Sequence, residues 1–212
     1  MSILELKGVR YSYDNKRNVL KSVNVDFEAG KMYAIVGPSG CGKTTLLSLL
    51  GGLDSPSSGQ ILYQGEDIAK TGLADHRRNH VAFIFQSYNL IDYLTSVENV
   101  ALTSKLSSLP ILEQLGLTAE EAKRNVLKLS GGQQQRVAIA RALASDASVI
   151  LADEPTGNLD EDTAAEITAI LKECAHQTNK CVVIVTHSGD LAKQADVILR
   201  LRKGELLYDA KS

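Results

Sequence analysis

The sequence contains no tryptophan, few prolines and cysteines, and no long apolar run. Its three cysteines, Cys41, Cys174 and Cys181, have neither metal-ligand spacing nor the even number of a disulfide framework, which fits a reducing compartment. The longest apolar stretches, such as residues 149–152 and 182–185, are far too short to span a bilayer. If such a chain serves a membrane, we expect it to dock onto a separate membrane protein.

An excess of one charge is also missing. The 23 basic and 25 acidic residues are mixed along the chain, and the net charge is −2. Without a basic tail or stripe there is no electrostatic footprint for nucleic acid, and we expect no nucleic-acid partner. The N-terminal residues lack the basic start and apolar run of a signal peptide. A hydrophobic fraction of 44% over 212 residues suffices for a core in one large domain or two small lobes.

The first third of the chain has the periodicity of strands. Val23, Val25 and Phe27 alternate with polar residues as in a half-buried strand, so we expect antiparallel strands here. Residues 32–36 form a continuous apolar run, which predicts a buried strand. A helix follows, predicted from leucines at helical spacing and a closing glycine pair: Leu46, Leu47, Leu49, Leu50, Leu53, Gly51 and Gly52. The other elements predicted in this part are a loop over residues 55–59 and strands over 61–63 and 81–85.

The last third alternates strands and a helix. Apolar runs at residues 149–152 and 181–186 predict two buried strands, with a helix over about 162–176 between them. This strand-helix-strand order indicates a parallel sheet. Residues 197–202 and 205–208 are predicted to form a terminal hairpin.

The middle of the chain has a helical character instead. Thr95 and Thr118 each begin a capping-box pattern, and Pro110 can open a further short helix. We therefore predict a helical lobe over residues 89–143, inserted into a strand-rich core made of residues 1–88 and 144–212. Together these segments form a single predicted domain.

A glycine-rich pattern follows the buried strand over residues 32–36. It reads Gly37, Pro38, Ser39, Gly40, Cys41, Gly42, Lys43 and Thr44, and it matches G-x-x-x-x-G-K-[ST]. The glycines allow backbone amides to point at phosphate oxygens, and the following helix directs its positive end at the same anion. Lys43 would contact the β- and γ-phosphates and Thr44 would ligate Mg²⁺. Thr45 completes the predicted nucleotide-binding set, and Cys41 is interpreted as a small filler.

Two adjacent carboxylates end the buried strand over residues 149–152. Asp153 and Glu154 would lie at the carboxyl end of a parallel strand, where ligands bind in open sheets. Asp153 is predicted to help hold Mg²⁺, and Glu154 to act as the general base that polarises the attacking water. The sequence therefore predicts an ATP- and Mg²⁺-dependent hydrolase.

A second anion site is predicted at residues 129–136. This segment, LSGGQQQR, resembles the signature motif of ATP-binding-cassette (ABC) proteins almost letter for letter. Ser130 is a candidate N-cap for the helix beginning near Gly132, so its hydroxyl and the free amides of Gly131, Gly132 and Gln133 form an anion site.

The other ABC elements follow in the order found in the family. Gln86 resembles the Q-loop glutamine, which could ligate the metal or a water, and Asp160 belongs to a segment like the D-loop. His187 resembles the switch histidine. Tyr13 stands where an aromatic ring stacks on adenine, although Tyr11 competes for that role.

The resemblance covers essentially the whole chain. It implies an α/β P-loop NTPase core with a mixed, mainly parallel sheet, an N-terminal antiparallel β subdomain and an inserted helical lobe. It also implies a homodimer in which the phosphate cradle of one chain faces the signature segment of the other around two ATP molecules. The expected partner is an integral membrane permease, which would hold the chain at the cytoplasmic face of the membrane.

One bacterial branch of the family is especially similar. Residues 83–90, with Leu94, Thr95 and Glu98 after them, and residues 150–160 resemble ATPases of macrolide exporters, lipoprotein-releasing systems and antimicrobial-peptide resistance transporters. The resemblance therefore implies export, or extrusion from the membrane. Tyr88, Leu90, Ile91 and Tyr93 would meet the permease or pack within the lobe itself, and the sequence leaves both readings open.

Three other functions would use the same nucleotide-binding motifs. The first is an ATPase that regulates a membrane-bound cell-wall hydrolase without transport, and the identity of the membrane partner would decide it. The second is a soluble family member acting on ribosomes or DNA, which the absence of a second cassette, a coiled-coil insertion and a basic stripe disfavours. The third is a non-catalytic binding module, which the presence of every catalytic position disfavours.

Overall fold

The computed structural model describes residues 2–13, 18–104 and 107–209. Its strands are β1 (Ser2–Tyr11), β2 (Leu20–Glu28), β3 (Met32–Val36), β4 (Ser58–Tyr63), β5 (Glu66–Asp67), β6 (Val81–Ile84), β7 (Val149–Asp153), β8 (Cys181–Thr186), β9 (Val197–Arg202) and β10 (Glu205–Tyr208). Its helices are α1 (Lys43–Leu50), α2 (Ile68–Thr71), α3 (Leu73–Asn79), α4 (Ser96–Ala101), α5 (Leu109–Gln114), α6 (Ala119–Ala122), α7 (Gly131–Leu143), α8 (Glu161–Thr178) and α9 (Gly189–Gln194), with a 3-10 turn at Val126–Lys128. Among the described residues, no helix has the length and apolar character needed to cross a membrane.

A six-stranded sheet forms the centre of the molecule. Its order is β10-β9-β3-β8-β7-β6, and all neighbours are parallel except the β9–β10 hairpin. Side chains of the central strands alternate between two cores. In β7, Leu151 belongs to the first core, on one face of the sheet, and Ile150 belongs to the second core, on the other face. Burial on both faces explains why these strands are continuous apolar runs in the sequence.

A second sheet is antiparallel and has the order β2-β1-β4-β5. Its apolar residues, including Val23, Val25 and Phe27 of β2, belong to the same core as the leucines of α1. Helix α1 is thus enclosed between the two sheets, because each sheet has an apolar face to cover. The predicted α/β fold, with its mainly parallel sheet and N-terminal antiparallel sheet, is confirmed.

Helices α4 to α7 lie between β6 and β7 in the chain and cover the second core. The capping boxes predicted at Thr95 and Thr118 are both formed, and Pro110 lies in the first turn of α5. The division of the chain at residues 89 and 143 stays a prediction.

A few element boundaries differ from those predicted. Ser58 and Gly59 belong to β4 rather than to a loop, because Ser58 pairs with Arg10 of β1 and extends the sheet into a polar segment. Strand β6 ends at Ile84, one residue before Phe85, and α7 begins at Gly131 rather than near Gly132.

Candidate functional site

A cavity of about 430 Å³ opens at the carboxyl ends of β3, β7 and β8. The described residues that line it are Tyr13, Val19, Ser39, Gly40, Gly42, Lys43, Thr44, Thr45, Gln86, Asp153, Glu154 and His187. We call this space the cradle cavity. Every residue in that set except Val19 was predicted from the sequence. Parallel strands deliver them together because their carboxyl ends meet at one edge of the sheet.

The glycine-rich segment over residues 37–44, which we call the cradle loop, requires glycine at two positions. Gly42 has φ of 105°, and a Cβ built there would lie 2.8 Å from Cγ1 of Val19. At Gly37 a Cβ would lie 2.3 Å from the Leu201 carbonyl oxygen at the end of β9. Gly42 is also the N-cap of α1, and no side chain caps that end of the helix. The first amides of α1 therefore face the cavity without a side-chain acceptor, which suits an anion.

Lys43 is the cation of this loop. Its side chain is nearly buried, with 7% exposure, and its Nζ donates to the carbonyl oxygens of Gly37 at 2.8 Å and Pro38 at 3.2 Å. Nε2 of His187 lies 3.4 Å from the same nitrogen. No carboxylate forms a salt bridge with Lys43 in the part of the chain that the structure describes. Its charge is therefore available to an anion in the cavity.

Glu154 is held by the strand beside its own. Its Oε2 accepts from Oγ1 of Thr186 at 3.1 Å and from the His187 amide at 3.2 Å, and its own amide donates to the Val185 carbonyl. Its backbone is left-handed, with φ of 47°. Oε1 is buried without a hydrogen bond and lies 3.5 Å from Nε2 of His187. One carboxylate oxygen is thus fixed while the other has acceptor capacity to spare.

Three oxygen donors line the cavity near this carboxylate. They are the Thr44 hydroxyl at the start of α1, the Gln86 side-chain amide after β6, and the Asp153 carboxylate at the end of β7. Hydroxyl, amide and carboxylate oxygens are the ligand class that Mg²⁺ prefers. Within the described residues there is no cluster of three or more histidine, cysteine or acidic residues that could hold a metal alone.

The two competing tyrosines lie in different environments. Tyr11 is 7% exposed, and its hydroxyl donates to the Asp54 carboxylate, which raises the pKa of Tyr11 to about 12. Tyr13 is 72% exposed, lines the cavity, and shares a hydrogen bond of 2.7 Å with the Thr45 hydroxyl. Tyr11 therefore has no ring face to offer a ligand in this cavity, whereas Tyr13 has one.

The predicted signature residues are not among those that line the cradle cavity. Ser130 caps α7 through its hydroxyl, and the Gln133 side chain accepts from the Ser130 amide in return. Gly131 and Gly132 form the first turn of that helix. The S-x-x-Q spacing of this capping box was visible in the sequence but was used only in part.

Asp160 and Cys41 also lie outside the lining of this cavity. Asp160 caps α8 by accepting from the Thr163 amide at 2.9 Å. This bond, together with one from the Thr163 hydroxyl, holds the pKa of Asp160 below its ordinary value. Cys41 is half-buried and packs against the first core, as expected of a filler.

Val19 is the lining residue that the sequence analysis missed. It precedes β2, and its side chain packs against Gly42. A valine before a strand carries no sequence signal for ligand contact. Only the packing of β2 beside the cradle loop places it at the cavity.

Comparisons with known proteins agree on one family. A family model described as ABC transporter matches residues 20–157. YclH of Bacillus subtilis, an uncharacterized ABC transporter ATP-binding protein, is 46% identical over 215 residues, which cover 96% of this chain and 95% of YclH. The macrolide export ATP-binding/permease protein MacB of Escherichia coli K12 is 42% identical over 221 residues, covering 97% of this chain. The chain spans about a third of MacB, because the match covers 34% of that protein.

Solved structures are similar over nearly the whole chain. The dimeric structure of MJ0796, described as a bacterial ABC transporter cassette, has a TM-score of 0.87 at 37% identity and covers 96% of each chain. A dimeric structure of the same cassette in a post-hydrolysis state, bound to ADP and Pi, has a TM-score of 0.87 at 36% identity and covers 97% of each chain.

Proposed function

The chain belongs to the ABC transporter family, and from this premise we propose that it hydrolyses ATP in the cradle cavity to drive a separate membrane permease, in the direction of export. One juxtaposition carries the proposal. The same cavity holds a nearly buried Lys43, which forms no salt bridge with the described residues, and a fixed Glu154, one of whose oxygens accepts no hydrogen bond. One group suits the phosphates and the other suits the attacking water.

Binding is assigned to the cradle loop and the ring beside it. The uncapped end of α1 and the Lys43 ammonium hold the β- and γ-phosphates by exchanging the carbonyl partners of Lys43 for phosphate oxygens. The exposed face of Tyr13 stacks on the adenine, and Val19 packs at the same side of the cavity.

Hydrolysis is assigned to Glu154 and its neighbour on β8. Oε1 of Glu154 accepts a proton from water as the water oxygen attacks the γ-phosphorus and the bond to the leaving ADP oxygen breaks. His187, 3.5 Å from Oε1, orients the water and donates to the γ-phosphate. Thr186 and the His187 amide keep the other carboxylate oxygen in place, so the base needs no reorganisation.

The oxygen donors of Thr44, Gln86 and Asp153 fit Mg²⁺. They are hard ligands on three different elements around one cavity, and three protein donors leave room for phosphate oxygens and water. Bound there, the ion would neutralise charge on the phosphates during transfer. The protein's part is to hold these side chains at fixed positions.

The signature residues are assigned to the nucleotide of a second chain. Ser130, Gly131 and Gly132 begin α7 outside the chain's own cavity, and the similar MJ0796 cassette is a dimer. We therefore place two ATP molecules between two copies of this chain, each held by the cradle of one and the signature of the other.

A groove beside β6 is assigned to the permease. This arginine groove has a volume of about 430 Å³ and contains Arg77, Arg78 and Arg141 against the single carboxylate of Asp146. Exposed Leu102 and the stacked rings of Phe83 and Phe85 supply its apolar surface. The groove therefore fits a permease segment that carries an apolar side chain and a carboxylate. That docking would hold the chain peripherally at the cytoplasmic face of the membrane.

The segment after Gln86 contributes less to docking than its apolar residues suggest. Tyr93 is 82% exposed, whereas Leu90 packs against the second core and Tyr88 and Ile91 are half-buried. Of these four, Tyr93 is the one assigned to the permease. Export is supported by the similarity to the macrolide export protein MacB, of which this chain covers 34%.

The test is the substitution Glu154→Gln, which keeps the shape of the side chain and removes the base. We expect ATP binding to persist, turnover to fall by at least about a hundredfold, and an ATP-dependent dimer to accumulate in light scattering. Lys193→Ala, a surface lysine paired with Asp190, is the control and keeps wild-type turnover. Normal turnover by Glu154→Gln would remove Glu154 from the role of base.

The permease assignment is tested by affinity capture of Glu154→Gln, with ATP and Mg²⁺, from detergent-solubilised membranes of the native cell. We expect an integral membrane protein, and we expect Arg78→Glu in the same background to reduce its recovery at least about tenfold, because a repulsive contact replaces an attractive one. Capture of an integral membrane permease that exports a substrate supports transport. A membrane partner that only activates a cell-wall hydrolase would make the chain a regulator, and ribosomal or DNA-bound proteins alone would overturn the transport assignment.

A further inference from the structure

The Tyr88 hydroxyl lies where three motif segments meet. Nδ2 of Asn158 is 3.1 Å from this oxygen, and the same nitrogen is 3.4 Å from the Gln86 carbonyl. A Cβ built on Gly131 would lie 3.0 Å from the hydroxyl, so the first residue of α7 is close as well. The side chain of Tyr88, two residues after Gln86, therefore lies against both the loop before α8 and the start of the signature helix α7.

The backbone at Tyr88 has a strained conformation that is held by contacts with α7. Tyr88 and Asn89 are consecutive non-glycine residues in the left-handed region, with φ of 63° and 48°. Such residues persist only where their surroundings impose the conformation. Here the Arg141 guanidinium, on the same helix α7, donates to the carbonyls of Asn89 at 2.6 Å and Tyr88 at 3.1 Å. Burial lowers the pKa of Arg141, and the two carbonyls accept one hydrogen bond from each of its terminal nitrogens.

Helix α7 is also tied to the loop that follows Glu154. The buried Gln135 side chain donates to the Pro155 carbonyl at 2.8 Å. A Cβ on Gly132 would lie 3.3 Å from the Leu159 side chain. Helix α7 is therefore joined by direct contacts to the segment that follows Gln86 and to the residues after Glu154, and the Tyr88 hydroxyl supplies the contact with Asn158.

We propose that Tyr88, through its hydrogen bond with Asn158, is a positioning residue that aligns the signature segment with the ATP of the partner chain. The inference rests on the proposed function, since it presumes the shared site. Tyr88 is not among the described residues that line its own chain's cradle cavity, so it sets how fast the shared site assembles and turns over. It does not set how tightly one cradle binds a nucleotide.

The variant Tyr88→Phe removes the hydroxyl and keeps the ring. We expect kcat to fall about three- to tenfold, the range for losing one hydrogen bond, with ADP affinity within about twofold of wild type. ADP lacks the γ-phosphate that joins two chains, so its affinity reports a single cradle. In the Glu154→Gln background, Tyr88→Phe should weaken ATP-dependent dimerisation by a similar factor. Tyr208→Phe, an exposed tyrosine on β10, is the matched control and keeps wild-type values.

A double-mutant cycle identifies the partner of the hydroxyl. If Tyr88 acts through Asn158, then Tyr88→Phe should cause no further loss of kcat in an Asn158→Ala chain. Fully additive losses would overturn the proposal, and so would a fall in ADP affinity equal to the fall in kcat. If the wild-type chain hydrolyses ATP and Tyr88→Phe has the same kcat, this inference alone would be overturned. A wild-type chain that does not hydrolyse ATP would overturn the proposed function and this inference with it.

Discussion

Single residues at this site combine strain with unused hydrogen-bonding capacity. Glu154 adopts a left-handed backbone, at a cost of order 1–3 kcal/mol, and one of its carboxylate oxygens is buried without a partner. Two hydrogen bonds offset this cost: the Glu154 backbone amide donates to the Val185 carbonyl, and the Thr186 hydroxyl donates to the Glu154 carboxylate. The result is a base whose position is set by the fold before any substrate arrives.

A histidine far from the site should govern the pH dependence of stability. His76 on α3 is fully buried, its Nε2 bonds the Leu50 carbonyl, and its Nδ1 has no partner. Burial is the main cause that lowers the pKa of His76 from its ordinary value of 6.5. The unfolded chain then binds this proton more readily than the folded chain below about pH 6.5. Stability should therefore be intact above that pH and fall as the pH drops toward the lowered pKa.

We expect the free energy of unfolding of the wild type to decrease from pH 7.5 to 5.5, by at most about 1.4 kcal/mol per pH unit from this group. His76→Gln, which is neutral throughout, should show a shallower decrease. Urea denaturation of both chains at several pH values measures the free energy of unfolding and its dependence on pH. Equal slopes for the two chains would show that His76 does not titrate differently on folding. The titratable groups that act electrostatically on His76, which are Asp75, Arg77 and His80, are the same in both chains.

At the scale of elements, the packing of α1 against β6 depends on a glycine at the end of the helix. Gly51 ends α1, and a Cβ built there would lie 2.0 Å from Cζ of Phe83. A methyl group cannot fit without moving the ring, which packs against the first core and stacks on Phe85. The position of the helix that carries Lys43 and Thr44 is thus set partly by this contact.

Gly51→Ala should lower the free energy of unfolding by about 1–3 kcal/mol through overpacking. Gly189→Ala is the matched control, because nothing lies within 4 Å of its added Cβ and the residue begins α9. That control should change stability by no more than about 0.5 kcal/mol. Chemical denaturation of the two variants compares them directly. Equal stability would mean that Phe83 moves aside at no cost.

At the scale of the whole molecule, the proposed shared site allows two inactive chains to rescue each other. Lys43→Ala destroys the cradle of its own chain but keeps its signature segment. Ser130→Arg keeps its cradle and blocks the signature segment that it offers to a partner. In a mixed dimer, one site combines the defective cradle with the blocked signature segment. The other site combines the intact cradle of the Ser130→Arg chain with the intact signature segment of the Lys43→Ala chain.

We expect each variant alone to have no turnover, with ATP bound by Ser130→Arg but not by Lys43→Ala in calorimetry. An equimolar mixture should regain up to about a quarter of wild-type turnover, since half of randomly formed dimers are mixed and each has one intact site. Phosphate release measures it. A mixture as inactive as its components would contradict the head-to-tail arrangement, and turnover by Ser130→Arg alone would remove the signature segment from the reaction.

Much of this protein was determined by its sequence alone. The apolar runs at 32–36, 149–152 and 181–186 predicted the parallel strands because strands buried on both faces are nearly continuous apolar runs. The cradle loop, the adjacent carboxylates and the capping boxes were predictable because each depends on local spacing along the chain. For the same reason, the residues that line the cradle cavity were named almost completely before the fold was known.

Tertiary structure decided what local spacing cannot encode. Tyr11 and Tyr13 are equivalent in sequence, and only the packing of β1 buries one against Asp54 and leaves the other at the cavity. Val19 reaches the cavity, and Tyr88 reaches Asn158, through contacts between segments distant along the chain. Such contacts depend on how sheets and helices pack, and packing is set by the whole set of side chains rather than by any one segment.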